Sequence, residues 1–117
     1  LDAADVERSL VNEIRLDPIQ ARVFLLVTME GRMSSEETAS RLGIAPEAAL
    51  EACRSLVKLG GFIDMAPTEF EAMHPRFTAV NMYRRMCERE NIRFGRNKTV
   101  DGIGVILERY YDDARTK

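Results

Sequence analysis

The stretch Ser34–Asp64, SSEETASRLGIAPEAALEACRSLVKLGGFID, decides the fold. It reads as two helices joined by a tight turn, then a step into a strand. Ser34 opens the first helix, with Glu37 three residues on, which is the spacing of a capping box. Ala39 and Leu42 share one face of that helix. Gly43 follows where the chain must reverse, because glycine takes a positive φ at no steric cost. Ile44 plugs the corner. Pro46 starts the second helix, where its missing N–H does no harm. An A-x-x-L-G-I run before a longer helix is the pattern of a helix-turn-helix. Gly60-Gly61 then stops helicity, and Phe62, Ile63 and Met65 read as a strand. Phe70, Ala72 and His74 read as its return across the Pro67-Thr68 turn, so the pair forms a hairpin wing.

Upstream, Val6, Leu10 and Ile14 make one narrow apolar stripe on a helix ending near Arg15. Asp17-Pro18 ends that helix and opens the next, with Asp17 as N-cap. The helix Pro18–Glu30 is apolar nearly all round, through Ile19, Val23, Phe24, Leu26 and Val27. It is expected to be the buried centre. Arg32-Met33 is expected to be a short extended piece. Downstream, Pro75 starts a helix to about Asn91, with Phe77, Val80, Tyr83 and Cys87 as its apolar stripe. Ile92–Thr99 reads as a basic loop. A last helix is expected from about Asp101 to Ala114, with Ile103, Leu107 and Tyr110 in its stripe. Gly102 and Gly104 weaken that helix by roughly 1 kcal/mol each.

The expected fold class is therefore mainly α with a small β-hairpin. It is a winged helix-turn-helix over residues 16–74, extended by helical segments at 1–15 and 75–117. The 117 residues suit one domain, and 45% apolar content suffices for a core. No apolar run approaches the roughly 20 residues that span a membrane, and no secretory signal is visible. The chain starts at Leu1 rather than Met, so a trimmed or partial chain is expected. Cys53 and Cys87 sit on apolar helical faces and read as buried thiols, which suits a cytoplasmic protein.

The net charge of −2 argues against a nucleic-acid binder, but its distribution is uneven. Residues 1–74 hold 7 Lys/Arg against 13 Asp/Glu, whereas residues 75–117 hold 10 against 6. Such asymmetry points either to an anionic partner or to a solvated helix face.

The run Leu16–Val27, LDPIQARVFLLV, resembles the opening of TrmB-like archaeal transcription regulators. Ala21, Arg22, Val23 and Phe24 stand where that family carries Ala-Arg-Val and an aromatic. The likeness continues through Ala39, Leu42, Gly43 and Ile44, then Arg54, Ser55 and Leu56, then Gly61, Phe62 and Ile63. It covers about residues 16–74. The resemblance implies a double-stranded DNA partner with the second helix in the major groove. It also implies an effector domain or protein partner outside this chain.

The candidate DNA contacts are Arg32, Ser35, Pro46, Glu47, Ala48, Glu51, Arg54, Lys58, Thr68, Arg76, Arg84 and Arg85. At 100° per residue, Ala49, Ala52, Cys53 and Leu56 define the buried side of the second helix. Glu47, Glu51, Arg54 and Lys58 lie opposite. Two carboxylates at its entrance suit a DNA contact poorly, although glutamate can accept from cytosine N4. The bland alternative is that Glu47 favours the helix N-terminus and Glu51 pairs with Arg54 or Ser55. A protein-binding winged-helix module is therefore the competing function.

The terminal stripes, Val6, Leu10 and Ile14 with Ile103, Leu107 and Tyr110, lie outside the minimal winged-helix core. They are expected to form a homodimer interface, unless they pack within one chain. No cofactor and no metal are expected. His74 is a lone histidine at the end of the wing, and the cysteines lack metal-ligand spacing. No nucleophile with a base and no phosphate loop appears, so no enzyme is expected.

Overall fold

The computed structural model describes residues 3–116. Its elements are α1 (Ala3–Glu13), α2 (Pro18–Glu30), β1 (Met33–Ser34), α3 (Ser35–Leu42), α4 (Pro46–Leu59), β2 (Phe62–Ala66), β3 (Glu69–Ala72), α5 (Pro75–Arg89) and α6 (Lys98–Arg115). The described chain is mainly helical, with a three-stranded antiparallel sheet in the order β1-β3-β2. The extended piece expected at Arg32-Met33 is a strand shifted by one residue, Met33–Ser34. It places Met33 opposite Phe70 and Ser34 opposite Glu69. No helix among the described residues is long and apolar enough to cross a membrane.

Local chemistry sets most of the element ends. Asp17 accepts from the Gln20 N–H at 2.8 Å, and the Gln20 side chain accepts from the Asp17 N–H at 3.0 Å. That reciprocal pair satisfies two orphan donors at the start of α2. At α3 only half of the expected box forms. Ser34 Oγ accepts from the Glu37 N–H at 3.1 Å, while Glu37 turns outward towards Arg41 at 3.8 Å. Gly43 takes φ +66° in the turn between α3 and α4. The last helix begins at Lys98, earlier than expected, because Asn97 Oδ1 accepts from Thr99 and Val100.

Helix α2 supplies the centre of the core through Val23, Phe24 and Val27, all fully buried. Ile19, in its first turn, is exposed instead. Phe24 stacks on Phe62 at 6.1 Å, and Phe62 meets Phe70 at 6.4 Å, so three aromatics join α2 to the hairpin.

The terminal helices correct the expected subunit interface. Helix α6 lies against α1, α2 and α5. Val6, Leu10, Ile14, Ile103 and Leu107 are all buried inside this one chain, and Tyr110 is half-buried. Val6, Leu10, Ile14, Ile103 and Leu107 already have their apolar partners in the shared core, so these five residues do not offer a face to a second subunit.

Helix α5 also presents a different face from the one expected. Phe77 is 52% exposed, and Val80 and Tyr83 are half-buried. Thr78, Ala79, Met82 and Met86 point inward together with Cys87. Close approach explains the rotation. A Cβ on Gly61 would lie 2.7 Å from Met82 Sδ, and one on Gly104 would lie 2.7 Å from Arg76 Cα. The missing Cβ atoms therefore let Met82 press against Gly61 beside β2 and let the Arg76 backbone press against Gly104 on α6.

Candidate nucleic-acid interface

Helix α4 is amphipathic along its length. Ala49, Ala52, Cys53 and Leu56 are buried, and Glu47, Glu51, Arg54 and Lys58 are exposed, as the 100° spacing predicts. Burial pushes the Cys53 thiol up to about 11, because the thiolate would lose its hydration. The exposed stripe is divided lengthwise, acidic at its first turns and basic at its last. Glu51 pairs with neither Arg54 nor Ser55, so the expected neutralisation within the helix does not occur. Arg54 and Lys58 likewise make no ion pair or side-chain hydrogen bond among the described residues.

The other basic candidates are mostly engaged. Arg32 pairs with Glu69 at 2.9 Å. Arg76 grips Glu108 through Nε and Nη2 at 3.1 and 2.9 Å. Arg84 donates to Glu88 at 3.0 Å and to Asn81 Oδ1 at 2.8 Å. Arg85 donates to the Lys58 carbonyl at 3.0 Å. Of the remaining candidates, Pro46 is exposed, and Ala48 and Thr68 are half-buried. Ser35 is 2% exposed, and its N–H donates to the Thr68 carbonyl at 2.8 Å. Ser35 therefore serves the sheet and has no free surface for a groove.

Arg85 redirects the positive surface. Arg54 and Lys58 are one turn apart on α4, Lys58 is joined to Arg85, and Arg89 follows one turn along α5. This makes a basic stripe from α4 onto α5. The hairpin does not extend it, since Phe62–Pro75 carries Asp64, Glu69 and Glu71 but no Lys or Arg.

Two further residues support this surface. Asn81 Nδ2 donates to the Gly60 carbonyl at 3.1 Å, closing the end of α4 beside Arg85. Its only sequence signal is a polar residue in an otherwise apolar turn. Arg89 is exposed and makes no ion pair or side-chain hydrogen bond among the described residues.

A second cluster forms at the other end of α5. His74 Nδ1 accepts from the Arg76 N–H at 3.2 Å as the N-cap. Its Nε2 lies 3.5 Å from Glu108 Oε2, and the ring packs on Tyr111 at 5.1 Å. The Arg76 guanidinium on Glu108 holds that carboxyl below the usual carboxylate range. Nearby, Arg115 donates to the Val27 and Thr28 carbonyls at 3.3 and 2.7 Å and pairs with Glu71, tying α6 to the end of α2 and to β3.

Comparison with protein-family models, with curated proteins and with solved structures found no match.

Proposed function

We propose that the protein is a DNA-binding transcription regulator of TrmB-like type, built as a winged helix-turn-helix. In this reading α2, α3 and α4 form the helical core, β2 and β3 form the wing, and α4 enters the major groove. The observation that carries the proposal is the stripe Arg54, Lys58, Arg85 and Arg89, none of which has an acidic partner among the described residues, while Arg85 also caps α4. Phosphate contacts would come from this stripe, and Arg32, Arg76 and Arg84 would contribute less because carboxylates already hold them. If the regulator pairs with itself, it uses a surface other than the buried terminal stripes.

A second reading rests on the acidic features. Glu47 and Glu51 have no partner among the described residues at the entrance of α4, and the hairpin adds Asp64, also without an ion pair there, beside exposed Ile63 and Met65. This face suits a protein partner better than a phosphate backbone.

Fluorescence anisotropy on duplex DNA across a salt series tests both. Each phosphate contact adds roughly 0.9 to the slope of log affinity against log salt. Arg54→Ala with Lys58→Ala should flatten the slope by roughly 1.8. Unchanged affinity and slope in that double variant would remove the DNA reading and leave the protein-binding module.

A further inference from the structure

We propose that His74, Glu108 and Asp112 form a binding site for a divalent first-row transition ion, with zinc as its simplest occupant. The site is independent of the DNA-binding reading. One ligand atom from each residue lies within 4.8 Å of the other two. His74 comes from the junction of β3 and α5, while Glu108 and Asp112 are one turn apart on α6. The fold therefore brings an imidazole to two carboxylates that already share a helix face.

The spacing leaves room for an ion in place of the existing contact. His74 Nε2 and Glu108 Oε2 face each other at 3.5 Å as a long ion pair, and an ion would take the place of the Nε2 proton. Two ligand atoms at zinc-bond lengths on a tetrahedral ion lie about 3.4 Å apart. Asp112 is exposed, so its carboxylate is free to rotate across the remaining gap. Solvent supplies the fourth position. One nitrogen and two carboxylate oxygens suit zinc, cobalt or nickel. They are too few for calcium and lack the thiolates that softer ions select.

The surroundings hold the ligands in place. Both Arg76 contacts fall on Glu108 Oε1, which leaves Oε2 directed at His74. An outer hydrogen bond of this kind is how ligating carboxylates are commonly oriented. The guanidinium charge lowers affinity, and the two carboxylates outweigh it. The histidine pays in a different way. Its Nδ1 now accepts from the Arg76 N–H. With an ion on Nε2, the neutral ring carries its proton at Nδ1, and this cap bond is lost. A bound ion thus exchanges a helix cap for a cross-link between the end of β3 and the last turns of α6.

The test is titration of the full chain with zinc by calorimetry, and with cobalt by visible absorption. One ion per chain is expected, with the spectrum of a tetrahedral nitrogen and oxygen site. The Arg76 amide resonance should shift on binding. Asp112→Asn changes an exposed side chain and should weaken zinc at least tenfold with the fold intact by circular dichroism. His74→Gln should abolish the tetrahedral cobalt spectrum. The proposal fails if Asp112→Asn binds zinc as the parent does, if cobalt shows a thiolate charge-transfer band from Cys53 or Cys87, or if no saturable binding occurs.

Discussion

The guanidinium of Arg85 donates to the main-chain carbonyl of Lys58 at 3.0 Å, so a cation on α5 closes the C-terminal end of α4. The last carbonyls of a helix carry partial negative charge, and a cation there is stabilising by roughly 0.3–1 kcal/mol. The same contact brings the charge of α5 beside Arg54 and Lys58. One side chain thereby serves both helix packing and the proposed phosphate surface.

Those two roles separate by mutation. Arg89→Ala removes a charge that has no partner in the described chain. It should lower the salt slope of DNA binding by roughly 0.9 and leave stability unchanged. Arg85→Ala should lower the slope similarly and also reduce the urea midpoint. Anisotropy and urea denaturation on both variants check this. Equal stability loss in the two would mean that Arg85 contributes nothing as a cap.

Glu47→Gln with Glu51→Gln should strengthen binding to non-specific duplex. Both carboxylates are exposed and unneutralised at the start of α4, where they would repel phosphate. If binding to a preferred sequence falls while non-specific binding rises, one of them reads a cytosine.

Leu10→Ala and Leu107→Ala should each destabilise the chain by about 2–5 kcal/mol, since both are at most 1% exposed and leave cavities. Neither should change the oligomeric state under native conditions. Light scattering with denaturation distinguishes this from an interface role, in which dissociation would precede unfolding.

Gly104→Ala tests a sign. Helix propensity alone predicts a gain of about 1 kcal/mol. The added Cβ would instead lie 2.7 Å from Arg76 Cα, which is backbone and cannot swing away. The expected result is a net loss of about 1–3 kcal/mol in urea denaturation.

Acid should weaken the α5–α6 junction. The folded carboxyl of Glu108 is lowered first by its Arg76 hydrogen bond. Its contribution to stability is therefore present above the ordinary glutamate value of about 4.3 and is lost as pH falls through the lower folded value. Arg76→Ala should flatten the urea midpoint against pH in that acidic window. Measuring with a chelator present keeps metal binding out of the comparison.

The sequence by itself determined the features that depend on a few neighbouring residues. Asp17, Gly43, Pro46 and Gly60 mark helix ends because caps and breakers act within one turn. The two faces of α4 follow from spacing, since its apolar and charged residues are cleanly separated. On α5 the spacing is ambiguous, because Phe77–Val80–Tyr83 and Ala79–Met82–Met86 are both apolar stripes. Only the packing decides which faces inward, with Met82 against Gly61 and the Arg76 backbone against Gly104 among its close contacts. The stripes of α1 and α6 declare that they need partners, but periodicity cannot say whether the partner lies in the same chain. Charge is equally silent about pairing. Arg76 and Glu108 are 32 residues apart, and Arg115 and Glu71 are 44 apart. Arg84 with Glu88 is a local pair four residues apart on one helix, but tertiary structure alone decided the long-range pairs and set His74 beside two carboxylates of α6. Caps are local hydrogen bonds that the chain encodes residue by residue. Pairing between distant charges exists only after the helices have packed.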